Sequence, residues 1–233
     1  MFVSKSRSVV YPQSEHARLA GTIAQLWGNE KFRQPQLPFN AFCTGVALHD
    51  FGYGLLDTHD ILGMEAAERH RTFEALMQMR FSDHIAEIVA KTHVARLMNM
   101  AGLSELEQRC RLLLKDLIAK SGIPESVFQD ADMITRLCDS VAFDFCFERV
   151  TTGSVAVLAD NADGNRIDVR YEINFQHTES ADGMGYTVGT ISLEPWPLSC
   201  ESVRGYLLAY EGSGYPQVLN PHRVEFEVFA GSE

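Results

Sequence analysis

The chain has no apolar run approaching the ~20 residues that a helix needs to cross a bilayer. Its opening residues, Met1-Phe2-Val3-Ser4-Lys5-Ser6-Arg7, hold no apolar stretch of signal-peptide length. A soluble, cytoplasmic protein with no membrane role is expected. Basic residues are scarce: 20 Lys and Arg stand against 31 Asp and Glu, a net charge of -11. That deficit excludes general nucleic-acid binding, because nothing would neutralise phosphates along a broad surface. A small basic pocket is still compatible with it. No cysteine pair has CxxC spacing, and the five cysteines are odd in number. Buried free thiols in a reducing compartment are expected rather than disulfides. There is also no Gly-rich phosphate loop, dinucleotide fingerprint or base-reading cluster.

What is present divides into two textures. Up to about residue 149 the pattern is helical. Ser14 suits an N-cap for a helix running to about Trp27. Pro35 and Pro38 precede a second helix from near Asn40. A third is expected from Ile61 to Met79, and a fourth from Ser82 or Asp83 to Met100. A fifth spans Glu105 to Lys120, and a last one Glu125 to Glu148. After Thr151 the period changes to two. Ile167, Val169, Tyr171, Ile173 and Phe175 alternate with polar residues, as do Val224, Phe226 and Val228. Asp163-Gly164 and Asp182-Gly183 are turn signals. The reading is an α+β fold: a helical bundle over residues 1–150, then an antiparallel β-rich part over 151–233 packed on it. The chain is long enough for such a domain with a substantial appendage.

The informative residues sit on the inward stripes of the helices. His16 is followed by Ala20, Ile23 and Trp27, which share one helical face. His49 follows Phe42 and Val46, and Asp50 comes directly after it. His93 shares a stripe with Ala86, Val89 and Ala90, and Asp139 shares one with Ala142, Phe143 and Cys146. Any one of these has a bland reading as a hydrogen-bonded core group. Three imidazoles and two carboxylates buried together without compensation would be costly. One shared divalent cation satisfies the set, and imidazole with carboxylate suits first-row metals.

The order His16, His49-Asp50, His93, Asp139 resembles the H…HD…D pattern of the HD-domain superfamily of metal-dependent phosphohydrolases. The segments Glu15-His16-Ala17-Arg18-Leu19-Ala20-Gly21, His49-Asp50-Phe51-Gly52-Tyr53 and Cys138-Asp139-Ser140 are similar to an uncharacterised bacterial branch, a domain of unknown function. Pro195-Trp196-Pro197 in the strand half is reminiscent of the same branch. The resemblance implies a helical HD-like domain in which His16, His49, Asp50 and Asp139 hold a divalent ion (Mn, Mg, Fe, Zn or Ni). It implies that His93 is a further ligand or touches the substrate. His70 and His84 are the candidates for a second intervening histidine, and one metal is the expectation.

The chemistry expected is hydrolysis of a small phosphate ester or nucleotide, so the expected partner is a small molecule. Asp50 would orient the attacking water, and His93 would act as general acid or stabilise the leaving group. Arg18 is a candidate phosphate clamp, with a surface salt bridge as the plainer alternative. Tyr53, between Gly52 and Gly54, is a candidate substrate contact. Trp196, between two prolines, reads as a lid or as a packing anchor, the anchor being favoured. Two other functional readings are an HD-like iron oxygenase, which would need a second metal, and a non-enzymatic metal- or ligand-binding protein.

Overall fold

A computed structural model describes residues 1–54, 57–158, 165–178 and 186–231. Its elements are β1 (Phe2–Val3), β2 (Val9–Tyr11), α1 (Gln13–Gln25), α2 (Phe39–Ala47), a 3-10 turn (Phe51–Tyr53), α3 (Ala66–Gln78), α4 (His84–Met100), α5 (Ser104–Ser121), α6 (Glu125–Cys146), β3 (Thr151–Leu158), β4 (Arg166–Thr178), β5 (Tyr186–Glu194), β6 (Ser202–Glu211) and β7 (Pro221–Ala230). Helices followed by a sheet make this an α+β protein. No described helix is long and apolar enough to cross a membrane. Both Asp-Gly turn signals lie outside the described residues.

The sheet has seven strands in the order β1-β2-β6-β7-β5-β4-β3. Two features depart from the expected antiparallel C-terminal unit. β5 and β7 pair in parallel, because β6 crosses to the far side of β7. The short β1 and β2, which carry too few residues for a visible alternation, join the sheet through Val9 and Val10 opposite β6. The expected alternation is present: Val169, Tyr171 and Ile173 are buried on β4, and Val224, Phe226 and Val228 on β7. One continuous apolar core runs from the inner sheet face through α1, α2, α4 and α6.

The helix ends show which sequence signals dominate. Asp83 caps α4, its carboxylate accepting from the backbone N–H groups of Ile85 and Ala86 at 2.8 and 3.1 Å. Ser14 is no cap. The extended Pro12 ends the preceding strand and occupies that position, so Ser14 falls inside the first turn. α3 begins at Ala66 rather than Ile61, because Asp60 closes a local turn by accepting from the Leu62 N–H at 3.1 Å. α2 ends at Ala47, so His49 and Asp50 stand just past the helix, where the chain tightens into the 3-10 turn.

Two glycines set how closely the site-bearing helices approach. A Cβ on Gly21 would stand 2.6 Å from the Cβ of Ala47, and one on Gly45 would stand 2.8 Å from the Ala86 carbonyl oxygen. α2 is therefore pressed backbone-close between α1 and α4. That closeness carries the end of α2 to where His16 and His93 can face it.

The Trp196 segment ties the exit of α1 to the sheet. Gly28 N–H donates to the Pro197 carbonyl at 2.9 Å, and Ser199 N–H to the Leu26 carbonyl at 2.8 Å. The Trp196 indole N–H donates to the Cys200 carbonyl at 2.7 Å, so the ring is held as an anchor.

Candidate metal centre

Three segments deliver one cluster. His16 comes from the first turn of α1, His49 and Asp50 from the turn after α2, and Asp139 from the middle of α6. His16 Nε2 and His49 Nε2 are 3.1 Å apart. Asp50 Oδ2 lies 3.4 Å from the former and 3.3 Å from the latter. Asp139 Oδ1 lies 3.2 and 3.5 Å from the same two nitrogens. Ligand atoms roughly 2.0–2.2 Å from one ion, at tetrahedral to right angles, stand roughly 2.9–3.5 Å apart. These separations suit ligands of a divalent ion, and the described residues offer two overlapping groups that could hold one: His16, His49 and Asp139, and His49, Asp50 and His93.

The hydrogen bonding around the cluster points the same way. His49 Nδ1–H donates to the Val46 carbonyl at 2.6 Å, which leaves the Nε2 lone pair directed into the cluster. Asp50 Oδ1 and His16 Nδ1 are buried without a hydrogen-bond partner.

Electrostatics favour a cation. Burial alone would strip the proton from His49, but Asp50 and Asp139 outweigh it and raise its pKa to about 10. Burial would also raise both carboxylates. The imidazoles instead hold Asp50 below the usual carboxylate range, and Asp139 well below it. Two buried carboxylates facing imidazoles thus form a site of negative charge that a cation would offset.

His93 sits beside this cluster. Its ring centroid is 4.5 Å from that of His49, edge to face. A ring nitrogen of His93 lies within 4.8 Å of ligand atoms of His49 and Asp50. Burial pushes its pKa down to about 3, His49 and Arg96 adding to the effect, so it is neutral. Tyr53 borders the site: burial raises its pKa first, and the charges of Asp50 and Asp139 raise it further. Arg18 is not brought to the cluster. It pairs with Glu15, donates to the Tyr206 carbonyl, and its guanidinium stands 5.5 Å from the Tyr206 ring. His70 and His84 are exposed and join neither group of candidate ligands.

Sequence reading missed three arginines near the site. Arg96 on α4 bonds Asp132 at 3.0 Å and His93 at 2.8 Å. Arg69 on α3 is near enough to Tyr53 to counter its upward pKa shift, and Arg136 on α6 counters that of Asp132. Helical spacing was the available signal, since Asp132, Arg136 and Asp139 share one face of α6.

The profile of a protein family of unknown function, DUF3891, matches residues 1–68. That stretch contains His16, His49 and Asp50, and ends before His93 and Asp139. No curated protein and no solved structure matches the chain.

Proposed function

We propose that this protein is a metal-dependent hydrolase of a small phosphate ester, as its resemblance to the HD superfamily implies. The observation that carries the reading is the mutual spacing of His16 Nε2, His49 Nε2, Asp50 Oδ2 and Asp139 Oδ1, with every histidine–carboxylate and the histidine–histidine separation between 3.1 and 3.5 Å. A divalent ion held there supplies Lewis acidity, which makes water nucleophilic near neutral pH and polarises a phosphoryl oxygen.

The chain's own residues would do the rest. Asp50 commits Oδ2 to the cluster and keeps Oδ1 without a partner. That oxygen would accept a proton from the attacking water and orient it. Arg96 beside His93 and Arg69 near Tyr53 bring positive charge to this part of an otherwise acidic chain, which would favour an anionic substrate. Tyr53 adds an aromatic edge beside them.

The test is phosphate release from a panel of phosphomonoesters and nucleotides in Mn²⁺, Mg²⁺ or Fe²⁺. Activity with at least one ester is expected, falling at least 100-fold in Asp50→Asn. A chain that holds metal yet releases phosphate from none of them would contradict the reading.

A further inference from the structure

The contact between α4 and α6 bears on which of the sequence-based readings of His93 holds: metal ligand, general acid or substrate contact. Arg96, one turn after His93, donates from its Nη2 to His93 Nδ1 at 2.8 Å. A guanidinium has only donors, so this nitrogen must be the acceptor. The ring is then neutral with its proton on Nε2. Asp132 on α6 holds the arginine in place, accepting from Arg96 Nε at 3.0 Å. His93 Nε2 is itself buried and has no hydrogen-bond partner.

We propose that Arg96 and Asp132 lock His93 as a neutral Nε2–H donor for an oxygen of an anionic substrate, and that His93 is not a metal ligand. The assignment rests on the metal-centre reading above. Ligation through Nδ1 would need the lone pair that Arg96 already occupies. Ligation through Nε2 would move the proton to Nδ1, where two N–H groups would meet head-on. General-acid catalysis is excluded on the same ground, because a neutral imidazole would have to leave as an imidazolate. What remains is a fixed donor beside the cluster. A buried donor without an acceptor is costly, and a phosphoryl or leaving-group oxygen is the acceptor that would complete it. Such a donor stabilises charge developing on that oxygen without itself giving up a proton. Arg96 and Asp132 are thus positioning residues, and His93 is the group that touches the substrate.

Long-range ¹H–¹⁵N correlation on metal-free protein reads the tautomer directly. His93 should show an N–H type Nε2 and an acceptor-type Nδ1. Arg96→Met should lose that preference, and Arg96→Lys, which also donates only, should keep it. Adding Zn²⁺ should shift the Nε2 signals of His16 and His49 and leave the tautomer of His93 unchanged. His93→Gln should still bind one Zn²⁺ per chain. Inorganic phosphate should bind Zn²⁺-loaded His93→Phe about tenfold more weakly than wild type, with part of the affinity restored in His93→Gln. A proton on Nδ1 in the wild-type protein, a metal-induced shift at His93 Nε2, or loss of Zn²⁺ from His93→Gln would overturn the proposal. Failure of the wild-type chain to bind Zn²⁺ would instead overturn the metal-centre reading, and the metal-free spectrum would still decide the tautomer.

Discussion

His49 shows how much one side chain can be constrained. Its Nδ1 is tied to the Val46 carbonyl, and its Nε2 faces His16, Asp50 and Asp139. His49→Ala should therefore weaken Mn²⁺ binding by more than about 100-fold, beyond what loss of an outer partner costs, as read by calorimetric titration. Glu148 is the other concentrated residue, and sequence alone did not reveal it. It closes α6 at a φ of 51°, in the left-handed region. It accepts from Ser4 at 2.6 Å, Ser6 at 2.5 Å, Tyr11 at 2.6 Å and the Arg7 guanidinium. Burial alone would raise its pKa, but these donors, led by Arg7, lower it from 4.5 to about 2. A depressed carboxylate stabilises the fold fully above pH 4.5, and that contribution is lost as pH falls through about 2. At neutral pH it amounts to about 3 kcal/mol. Denaturant unfolding of Glu148→Gln should show a deficit of that order at pH 7, shrinking toward pH 2. The donors lie more than a hundred residues from Glu148 in sequence, and no local pattern pairs groups so far apart.

At the scale of elements, helix faces were legible and helix ends less so. Periodicity placed His16, His93 and Asp139 on inward stripes because a 3.6-residue repeat fixes which side chains share a face. It could not say which stripes meet. Contacts between helices made that choice, and Gly45 is where it is most exposed to a test. A Cβ there would lie 2.6 Å from Val89 Cβ and 2.8 Å from the Ala86 carbonyl oxygen. Neither atom is the end of a flexible chain. Gly45→Ala should push α2 off α4 and cost about 1–3 kcal/mol, measurable as a lower denaturation midpoint. It should also weaken metal binding, because His49 and Asp50 travel with the end of α2. Pro12 in place of Ser14 and the late start of α3 are losses of another kind. There the strand preceding α1 and the turn at Asp60 outcompeted local helix signals.

For the whole molecule, the α+β class followed from a change of period near Thr151. The joining of both chain ends into one sheet did not, since β2 pairs with a strand about two hundred residues away and carries β1 at its edge. One core spanning helices and sheet implies a cooperative unit that a bound ion should stabilise throughout. At a metal concentration 100 times Kd, the gain should be about 2.7 kcal/mol. A chain of this size should then melt roughly 5–10 °C higher, and chelation should reverse the gain. The decisive measurement is the divalent metal content of the purified chain after equilibration with Mn²⁺ and removal of free ion, for wild type and His49→Ala side by side. One ion per wild-type chain and none in His49→Ala is the predicted result. No retained ion in the wild type, or equal retention in both, would contradict the account.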